Sequence, residues 1–209
     1  MSADTATRQR LLDAAAEVFA RRGFASATIR EICTEAQANV AAVNYHFRDK
    51  AALYEAVLDH GYMLALQKYP PDGGLPTSAP DEQKLLAFVR SFLQRLLSEG
   101  PWACHGKLMA RELSEPTGML DKKVEQHVRP LFKLLSEILR AIAGPELNDA
   151  ALRRCARSVV GQILFYRHAQ PVLQRLEPEL KYNAQTIDQL AQHIADFSVS
   201  ALRALARRK

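Results

Sequence analysis

Residues 28–50, TIREICTEAQANVAAVNYHFRDK, constrain the fold more than any other part of this 209-residue chain. Thr28 sits where a helix N-cap belongs and Glu31 follows three residues later, the spacing of a capping box. Ile29, Ile32 and Cys33 give the helix that follows an apolar side, and the pattern breaks at Gln37-Ala38. Asn39 is a second N-cap, opening a helix to about Phe47 with Val40, Val43 and Phe47 on one face. Two short capped helices joined by a tight turn can bury little by themselves, so they must pack on a third helix.

The opposite face of the second helix carries Ala41, Ala42, Asn44, Tyr45 and His46. Eight residues at about 1.5 Å rise make a rod of roughly 12 Å. A major groove about 12 Å wide admits such a helix, and the two alanines keep nothing bulky between backbone and bases. Asn44, Tyr45 and His46 supply hydrogen-bonding tips. Asp49 is placed to cap a further helix whose first residue, Lys50, can grip a phosphate beside free backbone N–H groups. Thr28, Arg30, Asn39, Val40, Ala41, Asn44, Tyr45, His46 and Lys50 are therefore the candidate contacts to duplex DNA. The same pattern also fits an ordinary three-helix packing unit with a solvated polar face.

T-I-R-E-I, then A-x-A-N-V-A-A-V-N-Y-H-F, then K-x-x-L-Y resembles the DNA-binding domain of the TetR/AcrR family of bacterial transcriptional regulators. The likeness reaches back over residues 8–24, RQRLLDAAAEVFARRGF, which is similar to that family's first helix. One departure falls in the turn, where the family often has Gly and this chain has Gln37, a residue less suited to positive φ. RELSEP at 111–116, Val128-Arg129-Pro130 and GQILFYR at 161–167 resemble the second domain of the CecR (YbiH)-like branch. The resemblance implies a palindromic double-stranded operator, a homodimer and a small organic effector bound in the second domain, and it favours a repressor.

Net charge is +5, compatible with nucleic acid, yet the first fifty residues hold seven Lys/Arg and six Asp/Glu, a net of only +1. Phosphate contact then depends on a few placed groups such as Arg30 and Lys50. The Arg203, Arg207, Arg208, Lys209 cluster reads as a solvated helix end favoured by the helix dipole. No apolar run approaches the ~20 residues needed to span a bilayer. No signal peptide opens the chain, so the cytoplasm is the expected compartment and no membrane partner is expected. Cys33, Cys104 and Cys155 are too scattered for a disulfide framework or a zinc site, and they read as small buried apolar residues. Cys104 beside His105 is the one candidate for a redox-sensing thiol.

Beyond residue 50 the pattern is helical almost throughout. A linking helix over 50–69, striped by Leu53, Val57, Gly61 and Leu64, ends at the Pro/Gly cluster 70–76. Helices are expected over 81–98, 108–113 and 119–142, the last kinked by Pro130. Two broad amphipathic segments close the chain, around 152–164 and 187–205. Their stripes either fill a core or form a four-helix contact with a second copy, and the candidate interface residues are Val159, Val160, Ile163, Ile194, Phe197 and Ala201. The reading is an all-α protein: a helix-turn-helix three-helix domain at 7–50, then a helical-bundle effector and dimerisation domain at 81–207.

An enzyme is the main rival. No G-x-S-x-G elbow, Walker loop, G-x-G-x-x-G or H-E-x-x-H occurs, and no histidine pair has metal-ligand spacing, so no catalytic residue, metal or cofactor is expected. Trp102, His105, Met109, Glu112, Phe132, Phe165 and Tyr166 are candidate walls of an effector pocket, since aromatic walls with a few polar tips suit a drug-sized ligand. The alternative function is an architectural or division-linked DNA-binding protein whose second domain recruits a protein partner. A sizeable cavity within 81–168 favours an effector; a solid interior favours the alternative.

Overall fold

Side chains of Thr28, Asn39, Asp49, Asn148 and Asn183 each cap the helix that follows, and Gly144 ends another. The computed structural model describes residues 3–100 and 103–207. They form α1 (Ala3–Ser26), α2 (Ile29–Glu35), α3 (Val40–Phe47), α4 (Lys50–Lys68), α5 (Asp81–Leu97), α6 (Ala103–Ser114), α7 (Leu120–Lys123), a π-helical turn (Val124–Val128), α8 (Arg129–Ala143), α9 (Asp149–His168), α10 (Gln170–Leu176) and α11 (Ala184–Ala206). Among the described residues there is no strand. None of their helices is long and apolar enough to cross a membrane. Arg208 and Lys209 lie outside the described residues.

The helices gather into two compact units. The first holds, of the described residues, 3–67 together with 99–100 and 103–124. Leu11, Val18 and Phe19 of α1, Ile32 of α2, Val43 and Phe47 of α3 and Leu53 and Leu58 of α4 share one buried core, and Leu108 of α6 enters it. The helix-turn-helix is thus completed by a helix from much later in the chain. Residues 103–114 form one continuous helix where only 108–113 were expected, because Leu108 and Met109 pack it onto α1–α4. On α4 the core side is Leu53, Tyr54, Val57, Leu58, Gly61 and Ala65, so the expected stripe holds except that Ala65 takes the place of Leu64.

The second unit holds, of the described residues, 68–98 and 125–207. Its core joins Leu85, Phe88 and Leu93 of α5, Leu135 and Leu139 of α8, Leu152, Val159 and Ile163 of α9, and Ile187, Ile194 and Leu202 of α11. The single kinked helix expected over 119–142 is instead two helices separated by the π turn, with Pro130 in the first turn of α8. That is where a residue without an N–H costs least, since first-turn donors have no intrahelical acceptor. Val159, Ile163 and Ile194 are fully packed inside this core, so three of the six expected interface residues offer no surface. Their stripes are broad because α9 and α11 each meet several helices of their own unit.

Candidate DNA-binding surface

Both expected caps of the reading motif form. Thr28 Oγ1 accepts from the Glu31 N–H at 3.1 Å, and Asn39 Oδ1 accepts from the Ala42 N–H at 2.9 Å. The capping box is only half made. The Glu31 carboxylate turns away from the Thr28 backbone toward Arg21 at 3.1 Å and Arg22 at 3.4 Å. Charge-assisted bonds are the stronger ones, and the Arg21 bond holds the Glu31 carboxyl below the usual range. Gln37 does adopt positive φ, 50°, so the turn takes the left-handed form without a glycine. An Asn, Asp or Gly would hold that conformation at lower cost.

On α3, Val43 and Phe47 face inward while Asn39, Val40, Ala41, Asn44 and Tyr45 stand exposed. Val40, grouped by spacing with Val43 and Phe47, is 48% exposed, so at its first residue the apolar stripe of this eight-residue helix is not covered by the core. Tyr45 is 77% exposed, an unusual position for a large aromatic side chain with nothing to cover it. His46 does not join this surface. Its side chain is buried, with Nε2 3.7 Å from Asp4 and its ring 4.9 Å from that of Tyr45. Thr28 and Arg30 are exposed at the start of α2.

Asp49 caps α4 as its position in the sequence implies, accepting from the Ala52 N–H at 2.8 Å. That bond, with help from Arg48, holds its carboxyl below the usual carboxylate range. Lys50 is engaged within the protein: Nζ donates to the Ala25 carbonyl at 3.2 Å and lies 4.8 Å from the centre of the Phe24 ring. Sequence reasoning passed over Arg48. It ends α3 with φ 72° and an almost fully exposed side chain, 3.3 Å from Asp49. Its place one residue after the last buried position of α3 was the signal that could have found it.

The candidate effector residues fall into different units. Trp102 lies outside the described residues. His105, Met109 and Glu112 belong to the first unit, and Phe132, Phe165 and Tyr166 to the second. His105 Nδ1 is 3.1 Å from the Leu58 carbonyl, close against Gly61, where a Cβ would come within 2.8 Å of the His105 Cβ. Glu112 is no open polar tip. Fully buried, it accepts from Tyr54 Oη at 3.1 Å, from the Thr117 N–H at 2.9 Å and from Thr117 Oγ1 at 2.8 Å. Phe132 and Tyr166 pack half-buried on the second core, while Phe165 is exposed. A cleft of about 520 Å³ in the second unit lies elsewhere, between the 68–75 segment and α5, with Tyr69, Leu75, Leu86, Arg90 and Gln94 among its walls. Burial raises the half-buried Cys104 thiol above its ordinary value, which works against the thiolate form a redox sensor uses.

The capped α2–turn–α3 motif with an open polar face defines a helix-turn-helix protein. Residues 11–57 match the model for bacterial regulatory proteins of the tetR family, and residues 81–202 match the model for the C-terminal domain of the HTH-type transcriptional dual regulator CecR. The chain belongs to the TetR family, with a CecR-type C-terminal domain, and is a DNA-binding transcriptional regulator. It is 27% identical to the HTH-type transcriptional dual regulator CecR of Shigella flexneri, over 77% of this chain and 75% of that protein. A bacterial regulatory protein of the tetR family from Rhodococcus RHA1 superposes with a TM-score of 0.70 at 16% identity, covering 97% of this chain and 98% of that one. AibR in complex with isovaleryl coenzyme A and operator DNA superposes at 0.66 and 17% identity, covering 91% and 97%.

Proposed function

We propose that the protein is a ligand-released repressor that binds a palindromic operator as a homodimer. The observation that carries the reading is the exposed face of α3, where Asn39, Ala41, Asn44 and Tyr45 stand clear of the core on a helix short enough to enter a major groove. Two such heads must meet successive major grooves about 34 Å apart, so an effector that favours another separation lowers operator affinity. The dimer surface we assign to the exposed Phe165 and Phe197 of α9 and α11, with the half-buried Val160 and Ala201 of the same helices. Phe165 and Phe197 are each more than half exposed, apolar surface that a second copy would cover.

Support for a small organic effector is the cleft of about 520 Å³ in the second unit, in the volume range of ligand pockets, with mixed apolar and polar walls; it lies only partly within 81–168, since its other wall is the 68–75 segment. The AibR structure is named for a complex with both an acyl coenzyme A and operator DNA, a precedent in the same fold. Genomic binding with the tagged protein, followed by a gel-shift screen for small molecules that release the recovered operator, tests the reading. Discrete palindromic sites and at least one releasing compound are expected. Uniform coverage of the genome would overturn it.

A further inference from the structure

A second cleft, of about 440 Å³, lies wholly within the first unit and is separate from any effector site in the second. One wall is the helix break at Gly23, φ 78° and ψ 167°, with the turn that follows to Ser26. The facing wall is the end of α6 and the turn after it, from Arg111 to Gly118. Phe24 and Tyr54 line it with rings 4.9 Å apart and inclined at 46°. Thr117 and the buried Glu112 fix the second wall to Tyr54 through three hydrogen bonds, so this part of the cleft is rigid.

Arg22 and Arg111 both line the same cleft. The Arg111 group lies directly on the Gly23 backbone: a Cβ at position 23 would come within 2.6 Å of its Cζ. Each arginine spends only its Nε on a neighbour, Arg22 on Glu31 at 3.4 Å and Arg111 on Glu115 at 3.2 Å. Among the described residues their terminal nitrogens make no hydrogen bond, which leaves the forked geometry that receives a carboxylate. Apolar wall atoms of Phe24, Tyr54 and Pro116 beside the Arg111 guanidinium select a compact body carrying one anionic end, which an aromatic carboxylate supplies.

We propose that this cleft binds a small aromatic carboxylate, and that occupancy changes operator affinity from within the DNA-binding unit. The ligand would tie the end of α6 to the Gly23–Ser26 turn. That turn leads directly into the Thr28 cap of α2, and its Ala25 carbonyl is held by Lys50 at the head of α4. Only this second consequence rests on the DNA-binding reading.

The test is calorimetric titration of the full chain with sodium benzoate, benzamide and inorganic phosphate at constant ionic strength. Benzoate should bind once per chain, and benzamide, which lacks the charge, at least about tenfold more weakly, the worth of one charge-assisted bond. Arg111→Gln should lose about the same factor while its thermal melt stays near that of the parent. Glu115→Gln, which removes the resident carboxylate, should tighten binding severalfold. Operator affinity measured by anisotropy should shift with benzoate in the parent and not in Arg111→Gln. Equal heats for benzoate and benzamide, phosphate binding as tightly as benzoate, or an indifferent Arg111→Gln or Glu115→Gln would each overturn the site. Saturable benzoate binding with no change in operator affinity overturns only the coupling, and failure to find any operator leaves the titration result standing.

Discussion

Lys50 Nζ donates to the Ala25 carbonyl at 3.2 Å, so the ammonium that heads α4 is tied to the turn that ends α1. In the free protein this cation therefore has a structural task as well as an open one. Lys50→Ala should weaken binding to all DNA sequences alike and lower the salt-dependence slope by about one, as loss of one phosphate contact requires. It should also lower folding stability by about 1 kcal/mol through the lost hydrogen bond. Denaturant melts and anisotropy at several salt concentrations separate the two effects. A changed sequence preference with an unchanged salt slope would remove Lys50 from the phosphate-gripping role.

Tyr54 and Glu112 make the second testable pair. Glu112→Ala leaves a buried phenol and the Thr117 N–H without their acceptor, and should cost about 1–3 kcal/mol. Burial first, then the Glu112 charge, raises the Tyr54 phenol above its usual pKa of 10.0. Because the folded value is the higher one, the neutral phenol's contribution is complete below pH 10 and is lost as pH rises beyond it. Tyr54→Phe should flatten the alkaline limb of the stability profile, read by denaturant midpoints between about pH 9 and 11. An alkaline limb identical in the two proteins would show that the phenol does not titrate with unfolding.

Local signals in the sequence located the reading motif, since caps and turns are written within four residues of where they act. Thr28, Asn39 and Asp49 each cap the helix their spacing implied. What the sequence concealed is long-range. Nothing near Leu108 or Glu112 announces that α6 completes the first core, and the stripe of α9 and α11 reads the same whether it meets its own unit or a partner. His46 stands beside Tyr45 in the chain, yet helical rotation of about 100° per residue turns it toward Asp4 instead of the open face. The half-made capping box has the same origin, because Arg21 and Arg22 compete for Glu31 from another helix.

The open face of α3 should govern sequence choice without governing stability. Asn44→Ala and Tyr45→Ala alter exposed side chains, so melting should shift by no more than about 0.5 kcal/mol. Asn44→Ala should cost about 1–3 kcal/mol of operator affinity and relax the preference at one position in each half-site. Binding selections from a randomised operator would display this. His46→Ala, lacking an outward side chain, should change sequence preference least of the three.

Homodimerisation offers the last prediction, and it divides the two amphipathic helices by residue. Ile194 and Phe197 lie one turn apart on α11, yet Ile194 is fully buried while Phe197 is 59% exposed. Ile194→Glu places an unpaired charge in the core of its own unit, where the penalty is several kcal/mol, so the second unit should unfold. Phe197→Glu meets water in the monomer and should leave helicity and melting of the isolated chain nearly unchanged. In a dimer built on Phe165, Phe197 and Ala201, the same substitution sets a charge against its symmetry copy in an isologous contact. Light scattering should then report a folded monomer for Phe197→Glu, and operator affinity should fall because two heads no longer bind as one. A folded Phe197→Glu protein that remains dimeric at the same concentration would move the interface to another face of the molecule.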